Sequence, residues 1–210
     1  MGAEKKEIEG TEAARGCGAR GVVTERPREE EVQSREALLL ARRALGLSRP
    51  PLFPLLTDME GRSALIAGGG RVAARRAATL IKCGAAVTVV SPRFCAEFDG
   101  MNCLRVEREW RPEDMEGAAL AVAATNDRKA NAAVAAEANR RAIPVNVADN
   151  AADCGFYFPS LVTSGEVSAS VSAGALSPAL THRLAERLRS VWEDWVREER
   201  AALEDERNHE

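Results

Sequence analysis

Six consecutive residues, Gly68-Gly69-Gly70-Arg71-Val72-Ala73, are the stretch of this sequence best suited to chemistry. They fit the pattern G-x-G-x-x-G/A, with Gly68, Gly70 and Ala73 at its small-residue positions. Each position is small for its own reason. The first lets the chain turn sharply out of a strand, the second lets the backbone approach a diphosphate, and the third lets a helix pack closely on the sheet. A helix starting here offers N–H groups and a partial positive charge to phosphate oxygens. The chemistry implied is dinucleotide binding. Glycine-rich turns also serve as plain strand-to-helix connections, and a buried strand before with a helix after is what separates the two readings.

Asp149 is the second candidate, closing the short run Val145-Asn146-Val147. Strand C-termini in open α/β sheets face the ligand crevice, so a carboxylate there is placed for catalysis. The plainer alternative is a loop cap, or a turn shared with Asn150. The fingerprint also expects an acidic residue about 20 positions beyond the glycines to hold ribose hydroxyls. Here the chain reads Ser91-Pro92-Arg93, without Asp or Glu. Arg93 could instead attract a 2′-phosphate, so the residues alone leave NAD and NADP both open.

These groups need a scaffold, and the apolar patterning supplies one. Residues 63–67, 86–90, 104–106, 120–124 and 145–147 read as short buried strands, and residues 72–83 and 127–141 as helices between them. Continuous apolar strands alternating with helices predict an α/β fold, a Rossmann-type parallel sheet with helices on both faces. Residues 156–162 and 166–172 flank a Ser164-Gly165 turn and predict a β-hairpin. Ser177 as cap and Pro178 at the first helical position open a C-terminal helix. Leu180, Leu184, Leu188, Trp192 and Trp195 mark one apolar face of it, read as packing residues, and the charged residues from about 198 onward are expected to fray. At the other end, residues 1 to about 33 are rich in Glu, Arg and Gly and are expected to be disordered. A short helical pattern runs over 34–46. The divisions that follow are an extension over 1–50, a dinucleotide domain over 51–158, a hairpin region over 159–180 and a helical segment over 181–210.

Composition narrows the classes. The 210 residues are 45% hydrophobic and 29% charged, ordinary for a globular protein. No apolar run approaches the ~20 residues of a membrane span. The N-terminus carries Glu4, Glu7, Glu9 and Glu12 and lacks the apolar core of a secretory leader, so the cytoplasm is the expected location. A net charge of -3 gives no reason to expect nucleic acid. Five scattered cysteines without a C-x-x-C pair read as independent reduced thiols, and two histidines rule out a His-rich metal site.

The ordered elements PLFPLLTDMEGRSALIAGGGRVAARRA, VVSPR, AVAATND, VNVAD, FPSLV and VSAGALSPAL extend from about residue 51 to 189. Together they resemble the precorrin-2 dehydrogenase and sirohydrochlorin ferrochelatase family, the N-terminal module of siroheme synthase. The resemblance implies a Rossmann domain followed by a dimerisation region and a small helical domain. It implies NAD as hydride acceptor in the oxidation of the tetrapyrrole precorrin-2 to sirohydrochlorin, and in some relatives insertion of Fe²⁺ into the product. The family's dinucleotide contacts fall on Gly70, Arg71 and Val72, on Pro92 and Arg93, and on Thr125, beside Gly68 of the fingerprint. Its key carboxylate falls on Asp149, which would orient the macrocycle or accept a proton.

The carboxylate-rich substrate calls for a cationic surface, which Arg140, Arg141, His182, Arg183, Arg187 and Arg189 could supply. A solvated helix face explains each of them as well. Ser172 and Ser177 are candidate substrate contacts, with a turn and a helix cap as equal alternatives. A serine phosphorylated in some relatives is Ala173 here, so that regulation is not expected. No methyltransferase module is expected after the long helix, and the resemblance implies a shortened helical domain. A hairpin able to exchange across a two-fold axis makes a homodimer the expected assembly. Two other functions compete: a regulatory Rossmann module that senses NAD(H) without turnover, and a degenerate homologue kept for assembly. Asp149 together with the SAGALSP loop favours the enzyme.

Overall fold

The computed structural model describes residues 52–173 and 177–209. The disorder and short helix expected before residue 51 lie outside the described residues. Strand β1 (Ser63–Ala67) leads into helix α1 (Arg71–Lys82), strand β2 (Ala86–Val90), strand β3 (Leu104–Val106), strand β4 (Leu120–Ala123), helix α2 (Arg128–Arg140) and strand β5 (Val145–Val147). The five strands form one parallel sheet in the order β3-β2-β1-β4-β5. Strand order reverses between β1 and β4, and a crevice opens at such a switch point. The expected Rossmann-type sheet is present.

Both faces are covered, which is why the strands read as unbroken apolar runs. Ala64 and Ile66 join one core with Ala73, Ala74, Ala77 and Leu80 of α1. Leu65 and Ala67 point the other way and join Val134, Ala135 and Ala138 of α2. The α1 helix ends with Gly84 in the left-handed region (φ 83°), where Gly84 N–H donates to the Ile81 carbonyl and Ala85 N–H to that of Leu80. The β2–β3 connection is a short 3-10 turn over Ala96–Phe98, anchored by the fully buried Phe98.

The hairpin consists of β6 (Ser160–Ser164) and β7 (Val167–Val171), paired antiparallel. Its first strand starts later than the sequence suggests. Pro159 lacks a ladder donor, while Phe156 and Phe158 pack on the α1-side core instead. Helix α3 (Pro178–His209) starts at Pro178, as the Ser177-Pro178 pair predicts, and continues to His209 through the charged residues expected to fray. Ion pairs Arg189–Glu186 and Arg197–Asp194 line it at i,i+3 spacing. The expected packing face needs correction: Leu180, Leu184 and Trp195 are exposed, and the residues buried on α3 are Ala185 and Val196. The apolar side chains of Phe53, Leu55 and Leu56 are exposed as well. Hairpin and sheet domain meet where Lys82 Nζ donates to Thr163 Oγ1 (2.8 Å) and the Arg76 guanidinium lies 4.3 Å from the Phe158 ring centre. Among the described residues no helix is long and apolar enough to cross a membrane.

Candidate functional site

Parallel register decides which residues share the C-terminal edge of the sheet. Ala67 pairs with Ala123, and Ala123 with Val147. The ladder runs one step further: Gly68 N–H donates to Val90 (2.9 Å), Ala124 N–H to Ala67 (2.8 Å) and Ala148 N–H to Ala123 (2.9 Å). Gly68, Thr125 and Asp149 therefore emerge at one edge, with β5 about 10 Å from β1 by strand spacing.

Three adjacent glycines meet three different constraints. Gly68 has φ 120°, and a Cβ on it would lie 2.3 Å from the Ala124 carbonyl oxygen. A Cβ on Gly69 would lie 2.0 Å from the Arg93 carbonyl oxygen, and Cys95 N–H donates to the Gly69 carbonyl (2.8 Å). The turn is thus clasped between the segments following β4 and β2. Gly70 faces open space among the described residues, since a Cβ there would meet none of their atoms within 4 Å. It precedes the first turn of α1, which has neither a side-chain cap nor an acidic residue. An open glycine over an uncapped helix N-terminus fits the diphosphate of a dinucleotide. Ala73 is fully buried against the sheet, as the third fingerprint position requires.

The remaining candidates divide by position. Arg71 and Val72 are exposed in the first turn of α1, and Arg71 Nε donates to Glu97 Oε1 (2.7 Å). Pro92 and Arg93 are exposed beyond β2, where the buried Ser91 hydroxyl donates to the Arg93 carbonyl (2.8 Å). Thr125 is held by Asn131, whose Oδ1 accepts from the Thr125 N–H (2.9 Å) and hydroxyl (2.8 Å) while its Nδ2 donates to the Thr125 carbonyl (3.1 Å). Asp149 is exposed in the turn after β5.

The turn carrying Asp149 is fastened by Cys154. Its Sγ accepts from Val147 N–H (3.2 Å) and from Asn146 Nδ2 (3.5 Å). Burial pushes the Cys154 thiol up, so it stays protonated. Arg76 interacts electrostatically with Cys154; its pKa is lowered by burial and by Arg75, and its Nε is buried without a hydrogen-bond partner among the described residues.

The late-loop candidates belong to the segment after β7 and to the start of α3. Ser177 caps α3, accepting from Leu180 N–H (3.1 Å). Ser172, His182 and Arg183 are exposed. Among the described residues no hydrogen bond or ion pair joins Ser177, His182 or Arg183 to Asp149 or the glycine turn. Arg140 and Arg141 lie away from Asp149. Both bind Glu137 (2.6 and 2.5 Å), at the end of α2 that leads into the start of β5, the opposite edge from Asp149. Residue types missed Glu97, Asn131 and Cys154. Asn131 carried a faint signal as an amide near the start of an alanine-rich helix; the other two had none.

A protein-family model for NAD(P)-binding domains (NAD_binding_7) matches residues 55–160. Siroheme synthase of Nitrosomonas eutropha is 40% identical over 144 residues, covering 66% of this chain and 30% of its own length. Siroheme synthase of Nitrosospira multiformis is 40% identical over 148 residues, covering 66% of this chain and 31% of its own. The chain thus spans under a third of those relatives. The solved structure of SirC, precorrin-2 dehydrogenase, aligns with a TM-score of 0.58 at 29% identity, covering 70% of this chain and 76% of that one.

Proposed function

This chain belongs to the NAD(P)-binding family matched over residues 55–160, and from that premise we propose that it is an NAD-dependent dehydrogenase that oxidises precorrin-2 to sirohydrochlorin in siroheme synthesis. What supports this reading above all is the shared edge of β1, β4 and β5, from which the Gly68–Ala73 turn, Thr125 and Asp149 all emerge.

NAD, when bound, supplies the hydride acceptor. The N–H groups at the start of α1, beside Gly70, would hold its diphosphate, and the clasp of Gly68 and Gly69 fixes that turn in place. Pro92 and Arg93 border the adenosine end, and Thr125, fixed by Asn131, borders the crevice nearer Asp149. The oxidation removes one hydride and one proton from the macrocycle. The Asp149 carboxylate orients the macrocycle or accepts that proton. Extended to Fe²⁺ as a second substrate, the same carboxylate takes pyrrole protons as iron enters sirohydrochlorin.

The reading includes a homodimer in the cytoplasm. The exposed Leu180, Leu184 and Trp195 on α3 support the dimer, and Ser172, Ser177, His182 and Arg183 are assigned to substrate binding within it.

The test supplies precorrin-2 and NAD anaerobically and follows sirohydrochlorin absorbance, with and without Fe²⁺. Turnover is expected from the native chain. Asp149→Ala is expected to lose it while calorimetry still registers NAD. A native chain that binds NAD and does not turn over precorrin-2 is a regulatory module instead, and unchanged turnover in Asp149→Ala removes that carboxylate from the mechanism.

A further inference from the structure

In dinucleotide domains an acidic residue at the end of the second strand holds the ribose hydroxyls and repels a 2′-phosphate. At that position this chain has Ser91, whose hydroxyl is turned inward to the Arg93 carbonyl. Two exposed guanidinium groups belong to the surrounding segments, Arg93 just beyond β2 and Arg71 at the start of α1. The clasp brings these segments together, because the Arg93 carbonyl oxygen lies 2.0 Å from where a Gly69 Cβ would be. Two arginines with free forks beside a ribose are what a 2′-phosphate would select.

One of the two forks is engaged. Arg71 Nε donates to Glu97 Oε1 at 2.7 Å. Glu97 lies in the 3-10 turn Ala96–Phe98, which is rigidly placed. Phe98 plugs the core, and the N–H of Cys95, just before the turn, donates to the Gly69 carbonyl (2.8 Å). The carboxylate is therefore carried by an element tied to the phosphate turn itself. Its own backbone N–H, the Cys95 thiol and Arg71 together hold it below the usual carboxylate range, so it is charged at neutral pH.

We propose that Glu97 sets the coenzyme preference of this site, restraining Arg71 and supplying the negative charge absent from the end of β2, so that NAD is accepted and NADP refused. The inference rests on the reading of this turn as a dinucleotide site. Specificity here is a difference between two affinities, achieved by a repulsive group as much as by attractive ones.

The test titrates the full chain with NAD and with NADP by calorimetry at low salt, where exposed charges are least screened. The native chain is expected to favour NAD. Glu97→Gln is expected to move the NADP-to-NAD affinity ratio toward NADP by about tenfold, a difference near 1.4 kcal/mol. Glu97→Asp, which keeps the charge, is expected to retain the native preference. The double variant Arg71→Ala/Glu97→Gln is expected to return most of the shift. A ratio that stays within about twofold of native in Glu97→Gln, with NAD still bound, overturns the inference, as does a full shift surviving in the double variant. Failure of the native chain to bind either nucleotide overturns the dinucleotide reading itself.

Discussion

The backbone N–H of Val147 donates to the thiol of Cys154 at 3.2 Å, and that thiol lies 3.3 Å from the carbonyl of the same Val147. One buried side chain thereby engages both polar groups of the last residue of β5, two positions before Asp149. Replacing it with Ala leaves the Val147 N–H buried and unpaired, at a cost of about 1–3 kcal/mol. Cys154→Ala is therefore expected to lower Tm by several degrees and to reduce turnover more than NAD affinity. Cys154→Ser, which retains a donor and an acceptor, is expected to recover much of both. Equal losses in the two variants would mean that volume, and not hydrogen bonding, is what matters at this position.

Gly69 and Gly70 should behave oppositely when each is changed to Ala. The new Cβ at Gly69 would meet the Arg93 carbonyl at 2.0 Å, so the clasp must open and stability must fall. At Gly70 the Cβ enters open space, in the volume assigned to the diphosphate. Gly70→Ala is expected to keep the native Tm and to lose NAD affinity. Thermal melts alongside nucleotide titrations separate the two effects; a Gly70 variant that binds NAD normally would displace the diphosphate from this turn.

Ala142 occupies the left-handed region (φ 56°) just after α2, the place where α1 has Gly84. A Cβ in that conformation costs roughly 1 kcal/mol. Ala142→Gly is expected to raise Tm by a few degrees, since the strain relieved exceeds the added freedom of the unfolded chain. A lowered Tm would show that the methyl group contributes more by packing than it costs in conformation.

Glu137 carries the largest carboxylate shift of the described residues. Hydrogen bonds from Arg140 and then Arg141 bring its pKa down from 4.5 to about 2. A carboxyl with a lower pKa folded than unfolded stabilises the fold above about pH 4.5, and that contribution disappears as the pH falls through about 2. Melting curves between pH 5 and 2 should therefore fall less steeply for Glu137→Gln than for the native chain. Parallel curves would assign the acid sensitivity to other groups.

The sheet was legible because its central strands β1, β2 and β4 are largely buried and read as mostly apolar runs, whereas the edge strand β3 is exposed and carries Arg105. The fingerprint was legible too, but only in part. Gly69 occupies a position where the pattern allows any residue, yet the Arg93 carbonyl permits only glycine there. That constraint comes from the parallel pairing of β1 with β2 and leaves no local trace. The same holds for Glu97, which reaches Arg71 from 26 positions away. Strand β6 was placed too early because Phe156 and Phe158 look like strand residues, whereas their rings settle on the α1-side core. The far end of α3 looked too charged to hold, yet the helix runs through it to His209. Arg140 and Arg141 resembled a substrate patch because a sequence does not display which rim of the sheet a helix end reaches.

Alanine fills much of the seam between α1 and the sheet: Ala64, Ala73, Ala74 and Ala77 leave helix and strands almost backbone to backbone. Closeness of this kind has no slack. A single added methyl group at Ala74 or Ala77 would push the helix outward as a rigid rod, carrying its leading N–H groups off their aim. The aim of the α1 N-terminus is thus set from within the hydrophobic interior, by side chains on the far side of the helix from solvent.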